Sequence, residues 1–265
     1  PTPIGSETYD AQDVAVVDIN GDGIVDFVIG NSDGPDLIYY GGVEKHWWDP
    51  SSNPDGVFMV EIPGSEDSAT SSVTVGDLDG DGDVDILTGS NGGPNTAYIG
   101  YTTTSGPKSP PGDNPTWFAE TPLGTPTSND ATQDVEMVDV DGDDIPDVVI
   151  ANSDGPDRVI LTSTFGGNPL GPDELATAGV VLGSEVLNSR DIEVEDLNGD
   201  GIADFVIATS DGSNKVIYNG GASSPEDLAT FPAVNVGGPQ SSQTVEVLDV
   251  DGDGGSEGQH CDWKG

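Results

Sequence analysis

Short apolar runs rich in β-branched residues recur along the chain in pairs, and each pair brackets a stretch dominated by Asp, Asn and Gly. Val14–Val17 and Phe27–Ile29 flank the first stretch, and Val73–Val75 and Ile86–Thr88 the second. Val135–Val138 and Val148–Ile150 flank the third, Ile192–Val194 and Phe205–Ile207 the fourth, and Val245–Leu248 leads into a fifth. Runs this short, bounded by turn-forming residues, predict buried strands. A second turn follows each pair, at Asn31–Pro35, Asn91–Pro94, Asn152–Pro156 and Ser210–Gly212. Beyond it the pattern predicts a third strand (Leu37–Tyr40, Thr96–Tyr101, Arg158–Leu161, Lys215–Tyr218) and a fourth (Val57–Ile62, Trp117–Glu120, Val180–Leu182, Ala233–Val236). No segment carries a convincing helical period, although Pro172–Ala178 and Pro225–Ala229 each have room for a single turn.

Four short antiparallel strands per unit is the pattern of a propeller blade. The expected class is therefore all-β: a β-propeller or propeller segment built from four-stranded antiparallel blades, each with a polar loop between its first two strands. The units are expected at about 10–66, 67–127, 128–186 and 187–238, with a partial fifth repeat at 239–257 and a tail at 258–265, all within a single repeat domain. Successive polar stretches start 59, 62, 57 and 53 residues apart, a period that itself signals a repeat architecture.

The polar stretches carry the chemistry. Each is nine residues long, with an oxygen-bearing side chain at its first, third, fifth and ninth places and Gly at its fourth. The first supplies Asp18, Asn20, Asp22 and Asp26 with the carbonyl of Ile24; the second supplies Asp77, Asp79, Asp81 and Asp85 with Asp83 at the carbonyl place. The third supplies Asp139, Asp141, Asp143 and Asp147 with Ile145, and the fourth Asp196, Asn198, Asp200 and Asp204 with Ile202. The fifth supplies Asp249, Asp251 and Asp253 and ends on Glu257, with no apolar strand behind it, so four calcium sites are expected and the fifth is the weakest case. Asp-Gly-Asp alone is ordinary turn chemistry. Five copies with one oxygen spacing point instead to a hard cation, and calcium takes roughly six to eight oxygen ligands where magnesium demands stricter octahedral geometry. Asp144 stands where the other loops have a sixth-place Gly, a substitution Asp tolerates better than most residues.

Charge sharpens this reading. The chain has 49 acidic and 6 basic residues, a formal charge of -43, and each loop crowds three or four carboxylates together. Like charges at such range oppose the compact state, so cation binding is expected to be linked to folding. Calcium held ten- to a hundredfold above its Kd would add roughly 1.4–2.7 kcal/mol per site. The same acidity disfavours nucleic acid, which needs Lys and Arg on its phosphates, and disfavours anionic membranes. No apolar run is long enough to insert into a bilayer. Cys261 is the single cysteine, which leaves no internal disulfide framework. The free calcium required points outside the cell.

The loop, the strand after it and the Gly-Pro turn recur together, and in this the chain resembles the FG-GAP/VCBS repeat family, the calcium-loop blades of integrin-α-like propellers, over about residues 10–257. The resemblance implies extracellular propellers, often seven-bladed, used in adhesion and carbohydrate binding and as domains of polysaccharide-active enzymes. It departs from the family in number and in ends, since the fifth unit stops after its first strand and loop. Ile4-Gly5-Ser6-Glu7 aligns with Leu182-Gly183-Ser184-Glu185, the link after a fourth strand. Three readings follow: a fragment of a longer propeller, a small ring of four or five blades, or self-association in which neighbouring molecules complete each other's blades into a filament.

The remaining candidates are weaker. Trp47 and Trp48 in the Val43–Asp49 linker could stack on sugar rings, against the plainer reading that one packs on the blade and the other lies on the surface. Tyr101–Pro111 reads as an extended or O-glycosylated Ser/Thr/Pro tract, or as a bare surface loop. His46 and His260 are the only histidines and lie in unrelated contexts, which leaves triad or zinc chemistry poorly supported. The expected role is non-enzymatic: adhesion, glycan recognition or a subunit of an extracellular assembly, with a glycan or protein ligand. The alternative is a lyase-like, polysaccharide-active domain on a propeller scaffold.

Repeats touch mainly their neighbours. Asp22→Ala or Asp81→Ala should therefore loosen its own blade first, seen by calorimetry as a lowered melting temperature with calcium present. Unchanged melting in both variants would contradict metal binding at these loops.

Overall fold

The computed structural model describes residues 8–41, 59–100, 118–123, 131–162, 179–220 and 228–247. The described residues form four four-stranded antiparallel sheets. The first holds β1 (Ala11–Val17), β2 (Asp26–Asn31), β3 (Leu37–Tyr39) and β4 (Met59–Glu61). The second holds β5 (Thr70–Gly76), β6 (Asp85–Ser90), β7 (Asn95–Gly100) and β8 (Phe118–Leu123). The third holds β9 (Thr132–Val138), β10 (Asp147–Asn152), β11 (Arg158–Ile160) and β12 (Val180–Val181). The fourth holds β13 (Ser189–Glu195), β14 (Asp204–Thr209), β15 (Gly212–Ile217) and β16 (Val234–Gln240). Each sheet is a meander in chain order. Its first and second strands pair in one repeated register, with the polar nine-residue stretch as the connection.

The second strands are the cores of the sheets. Every residue of β6, β10 and β14 is buried, because both faces of these strands meet apolar neighbours. Three apolar cores lie between consecutive sheets. Val28, Ile38 and Ile62 meet Val73, Ile86 and Tyr98. Leu87, Ala97 and Leu123 meet Val135, Val148 and Ile150. Val149, Val159 and Leu182 meet Ile192, Phe205 and Ile207. Truncating one of these side chains, Leu87→Ala for instance, removes packing from two sheets at once, a change that typically costs about 2–5 kcal/mol.

The first strands differ from the buried strands expected. They are half-buried, and in β1 Val14 and Val16 are 53% and 55% exposed. The reason is positional: β5 packs on β1, β9 on β5 and β13 on β9, so the first strands meet one another in a row; β5, β9 and β13 also rest on the second strand of the preceding sheet, cover that β1 does not have among the described strands. The strand expected at Val245–Leu248 is also corrected. Described residues 245–247 are not a strand, and instead of a ladder partner Val245 has a side-chain acceptor, donating its N–H to Asp191 Oδ2 at 2.6 Å. Smaller shifts occur elsewhere. β15 begins at Gly212, inside the expected turn, β8 runs on to Leu123, and β16 runs on to Gln240. A helical turn ends at 228–230, at the edge of the expected Pro225–Ala229 turn, whereas Pro172–Ala178 lies outside the described residues.

Polar ties between sheets were not legible in the pattern. Asp13 Oδ2 accepts the Val73 N–H at 2.9 Å, Ser72 Oγ the Val135 N–H at 3.3 Å, and Asp134 Oδ2 the Ile192 N–H at 3.1 Å. Asp36 and Asp157, in the turns after β2 and β10, are buried latches. Asp36 accepts from the Asn31 N–H and the Thr70 hydroxyl, and Asp157 from the Asn152 N–H and the Ser189 hydroxyl, the hydroxyl belonging in each case to the next sheet. Burial pushes Asp36 up to about 6 and Asp157 up to about 7.

The row of first strands also gathers acids. Burial, and then the charges of Asp134, Glu193, Asp191 and Asp13, push Glu136 up to about 8. An acid whose folded pKa is raised contributes stability that is full below its unfolded pKa and is lost as pH rises through the folded value. Gln at this position has no charge to bury. Glu136→Gln should therefore melt near wild type at about pH 5 and higher than wild type at about pH 9, in thermal scans at fixed calcium. Equal melting at both pH values would contradict the burial of this carboxyl.

Candidate metal centres

The four described loops are built alike, from the backbone outward. Their fourth and sixth residues take left-handed φ values: 70° and 85° at Gly21 and Gly23, 74° and 86° at Gly80 and Gly82, 81° at Gly142, and 77° and 85° at Gly199 and Gly201. Asp144 fills the sixth place of the third loop at φ 67°, the only non-Gly residue described with positive φ. These turns curl the backbone around the first side chain. The Asp18 carboxylate accepts the N–H groups of Asp22 and Gly23 at 3.0 and 2.7 Å. Asp77 accepts from Gly82, Asp139 from Gly142, Asp143 and Asp144, and Asp196 from Gly199, Asp200 and Gly201.

The middle ligands are set by short local bonds. Asn20, Asp79 and Asn198 accept the N–H two residues on, from Asp22, Asp81 and Asp200. Asp22, Asp81, Asp143 and Asp200 do the same for Ile24, Asp83, Ile145 and Ile202, the residues at the expected carbonyl place.

The ninth residue does two jobs. Asp26, Asp85, Asp147 and Asp204 are fully buried at the first position of the second strand. One oxygen of each accepts the N–H of the loop's second residue: Ile19 at 3.0 Å, Leu78 at 2.6 Å, Val140 at 2.8 Å and Leu197 at 3.2 Å. The other accepts an N–H at the end of the third strand or just past it: Gly41 at 2.6 Å, Gly100 at 2.7 Å, Thr162 at 2.7 Å and Asn219 at 2.8 Å. The carboxylate thus ties the loop to the end of the third strand of its own sheet. A Cβ at Gly41 or Gly100 would strike the carbonyl oxygen of Val25 or Val84, so the close approach there requires glycine. No motif search for ligands would have found these partners, since they lie fifteen residues downstream.

The fit to a cation was tested on charge and on unsatisfied oxygens. Carboxylate oxygens of Asp77, Asp79 and Asp85 lie within 4.8 Å of one another, as do those of Asp139, Asp141 and Asp147. Asp77 Oδ1 is buried and has no hydrogen-bond partner. Burial first, and neighbouring loop carboxylates further down, push Asp85 and Asp147 up to about 7 and Asp26 and Asp79 up to about 6, while Asp141 and Asp204 are raised for the same causes. Asp196 runs the other way and is lowered by the Gly201 N–H. Crowded carboxylates that hold protons, and a buried oxygen with nothing to bind, are what a hard cation would relieve. The second and third loops bring three carboxylates each to one point. The first and fourth put Asn20 and Asn198 at the third place, where the Asn198 amide donates to Asp204 Oδ2 at 3.1 Å. Asp249, Asp251 and Asp253 lie outside the described residues, and so do Trp47 and Trp48.

Meander blades whose first two strands are joined by an acid-lined loop define a repeat protein of the β-propeller type. The chain belongs to the FG-GAP-like repeat family, which matches residues 18–88 and 196–257, half of its length. No curated protein matches the chain. Among solved structures it is similar to one titled as BBS1N in complex with ARL6DN, soaked with mercury, at 12% identity and a TM-score of 0.48, covering 91% of this chain and 58% of that one. A second, the same complex soaked with lead, matches at 14% identity and a TM-score of 0.45, covering 81% of this chain and 55% of that one. The chain thus spans less than three-fifths of the length of these structures. The repeat fold supports a binding or structural role. No described helix is long and apolar enough to cross a membrane.

A cation must displace the protons that the raised carboxyls hold. Calcium affinity should therefore fall steeply below about pH 6, and binding near pH 6.5 should release protons, measured by titration calorimetry in buffers of differing ionisation enthalpy. Equal affinity at pH 5 and pH 8 would contradict binding at these groups.

Proposed function

We propose that this chain is an extracellular, calcium-stabilised binding or structural protein, in which the cation is structural. The observation that carries this reading is the convergence of Asp77, Asp79 and Asp85, with the buried Asp77 Oδ1 lacking any partner, in a loop repeated along the chain. Asp18, Asn20, Asp22 and Asp26 and their counterparts in the other loops would hold calcium and replace mutual repulsion with shared attraction. That requirement for free calcium, with a family rooted in repeat propellers, supports a place outside the cell. The formal charge of -43 sets the choice of partner away from nucleic acid and toward a glycan or a protein, with calcium available to bridge acidic groups.

A cavity of about 280 Å³ beside the β6–β7 turn gives such a ligand one place to lodge; Ser68, Asn91, Thr96, Tyr98 and Glu120 line it. Its walls offer hydroxyl, amide and carboxylate groups above the buried Tyr98 ring, a mixture suited to a polyhydroxylated ligand. Acidic and neutral polysaccharides immobilised on beads should retain the calcium-loaded chain, and Asn91→Ala should weaken retention severalfold while leaving melting unchanged. Release of shortened, unsaturated sugar products would overturn the binding reading in favour of a lyase. Failure to retain the chain on any glycan would overturn glycan recognition.

A further inference from the structure

One exposed face of the molecule is dressed like three buried ones. In the second, third and fourth sheets, the first strand turns apolar side chains toward the preceding sheet: Val73 and Val75, Val135 and Met137, Ile192 and Val194. In the first sheet the register sets Val14 opposite Ile29 and Val16 opposite Phe27, which places these four on the corresponding face. There Val14, Val16 and Val25 are more than half exposed, and Phe27 and Ile29 are half-buried. The Val84 side chain, at the place of Val25, is packed in a core between sheets. The backbone repeats the difference. Val73, Val135 and Ile192 each donate an N–H across to the preceding sheet, Val135 sharing its N–H with its own neighbour Asp134 Oδ1 at 2.9 Å; Val14, with no described sheet before it, donates to its own neighbour Asp13 Oδ1 at 2.8 Å.

The complementary half lies at the other end of the row. Ser242–Val247 sits on the far face of the fourth sheet as a first strand would, with Val245 and Val247 packed on Leu197, Val206, Ala208 and Val216. Val245 donates to Asp191 as Ile192 does to Asp134. Alternation turns Thr244 and Glu246 outward, and both are exposed. Thr244 stands one residue before Val245, the place held by the acceptors Asp13, Ser72 and Asp134 relative to the strand residues that follow them. Ser72 shows that a hydroxyl serves as acceptor there. Within the chain, β13 does not pack back on β1 as β9 packs on β5.

We propose that the Val14–Val16 face of the first sheet is a front-to-rear self-association surface whose occupant is the Ser242–Val247 segment of a second copy of this chain, with the Thr244 hydroxyl accepting the Val14 N–H. It rests on the reading of the protein as a binding or structural module and names its partner. The contact is heterologous, so one copy's front takes the next copy's rear and the assembly extends until a rotation closes it. The chain's strong negative charge opposes association at low ionic strength, and screening relieves it.

Sedimentation velocity of the calcium-loaded chain in about 0.5 M salt, where the screening length falls well below the roughly 10 Å of 0.1 M salt, should show mass growing with concentration beyond a dimer. Val14→Asp blocks the front and Thr244→Lys, at an exposed site, blocks the rear. Each variant alone should remain monomeric with wild-type melting, and a mixture of the two should give a dimer and nothing larger, because one intact front meets one intact rear. A wild type that stays monomeric at every concentration, or mixed variants that stay monomeric, would overturn the proposal. So would Val14→Asp lowering the melting temperature of a monomeric wild type, since that places the occupant in the same chain. A monomer that still binds glycan sinks this inference alone and leaves the binding reading intact.

Discussion

Carboxylates packed closer than water would let them rest are the constraint on which this molecule turns. In each described blade one fully buried Asp, at 26, 85, 147 or 204, holds the loop on one side and the end of the third strand on the other. That carboxylate is worth having only while its charge is compensated, because a buried charge without a counterpart costs several kcal/mol. Backbone N–H groups supply part of the compensation, against burial that raises the Asp26, Asp85 and Asp147 carboxyls above the usual range. Protons can make up the remainder at low pH. A divalent ion would do so at neutral pH, and would also recruit the first, third and fifth side chains of the loop into the same site.

The loops and the sheet packing are therefore one mechanical unit. The second strand begins at the buried Asp and runs through the centre of its sheet, and its neighbours across the inter-sheet cores are first strands carrying their own loops. Loosening the loop of the second or third sheet frees the start of a strand that two inter-sheet cores depend on. Asp36 and Asp157 add latches at the opposite ends of these strands, where a hydroxyl of the next sheet closes on a buried carboxylate. In the second sheet Asn95 replaces the acid, and the hydroxyl of Thr132 turns to Asn152 of its own sheet. The junctions are thus alike in their apolar content and unlike in their polar closure.

Much of this was legible in the chain. β-Branched runs of three or four residues around a nine-residue polar stretch specify two strands and a tight connection, and the sheets form with that connection in the repeated register. The left-handed glycines were readable because no other residue fits a double reversal so cheaply, and Asp144 shows the one tolerated exception. What the pattern could not show was anything set by a neighbour. Val14 and Val73 are the same letter in the same register, yet the first is exposed and the second buried, because only the second has a sheet in front of it. Val245–Leu248 had strand composition, but a strand needs a ladder partner, and the described part is held by side chains instead. Asp13 and Asp134, which no motif singles out, accept backbone N–H groups roughly sixty residues away.

The most direct test is a calcium titration of the chelator-treated chain, followed by heat and by far-ultraviolet circular dichroism in one experiment. Uptake of at least four equivalents, one for each described loop, should accompany a rise in melting temperature and a sharpening of the β-sheet signal. A chelated chain that takes up no calcium, and that melts at the same temperature with or without it, would contradict the view that cations hold these carboxylates together.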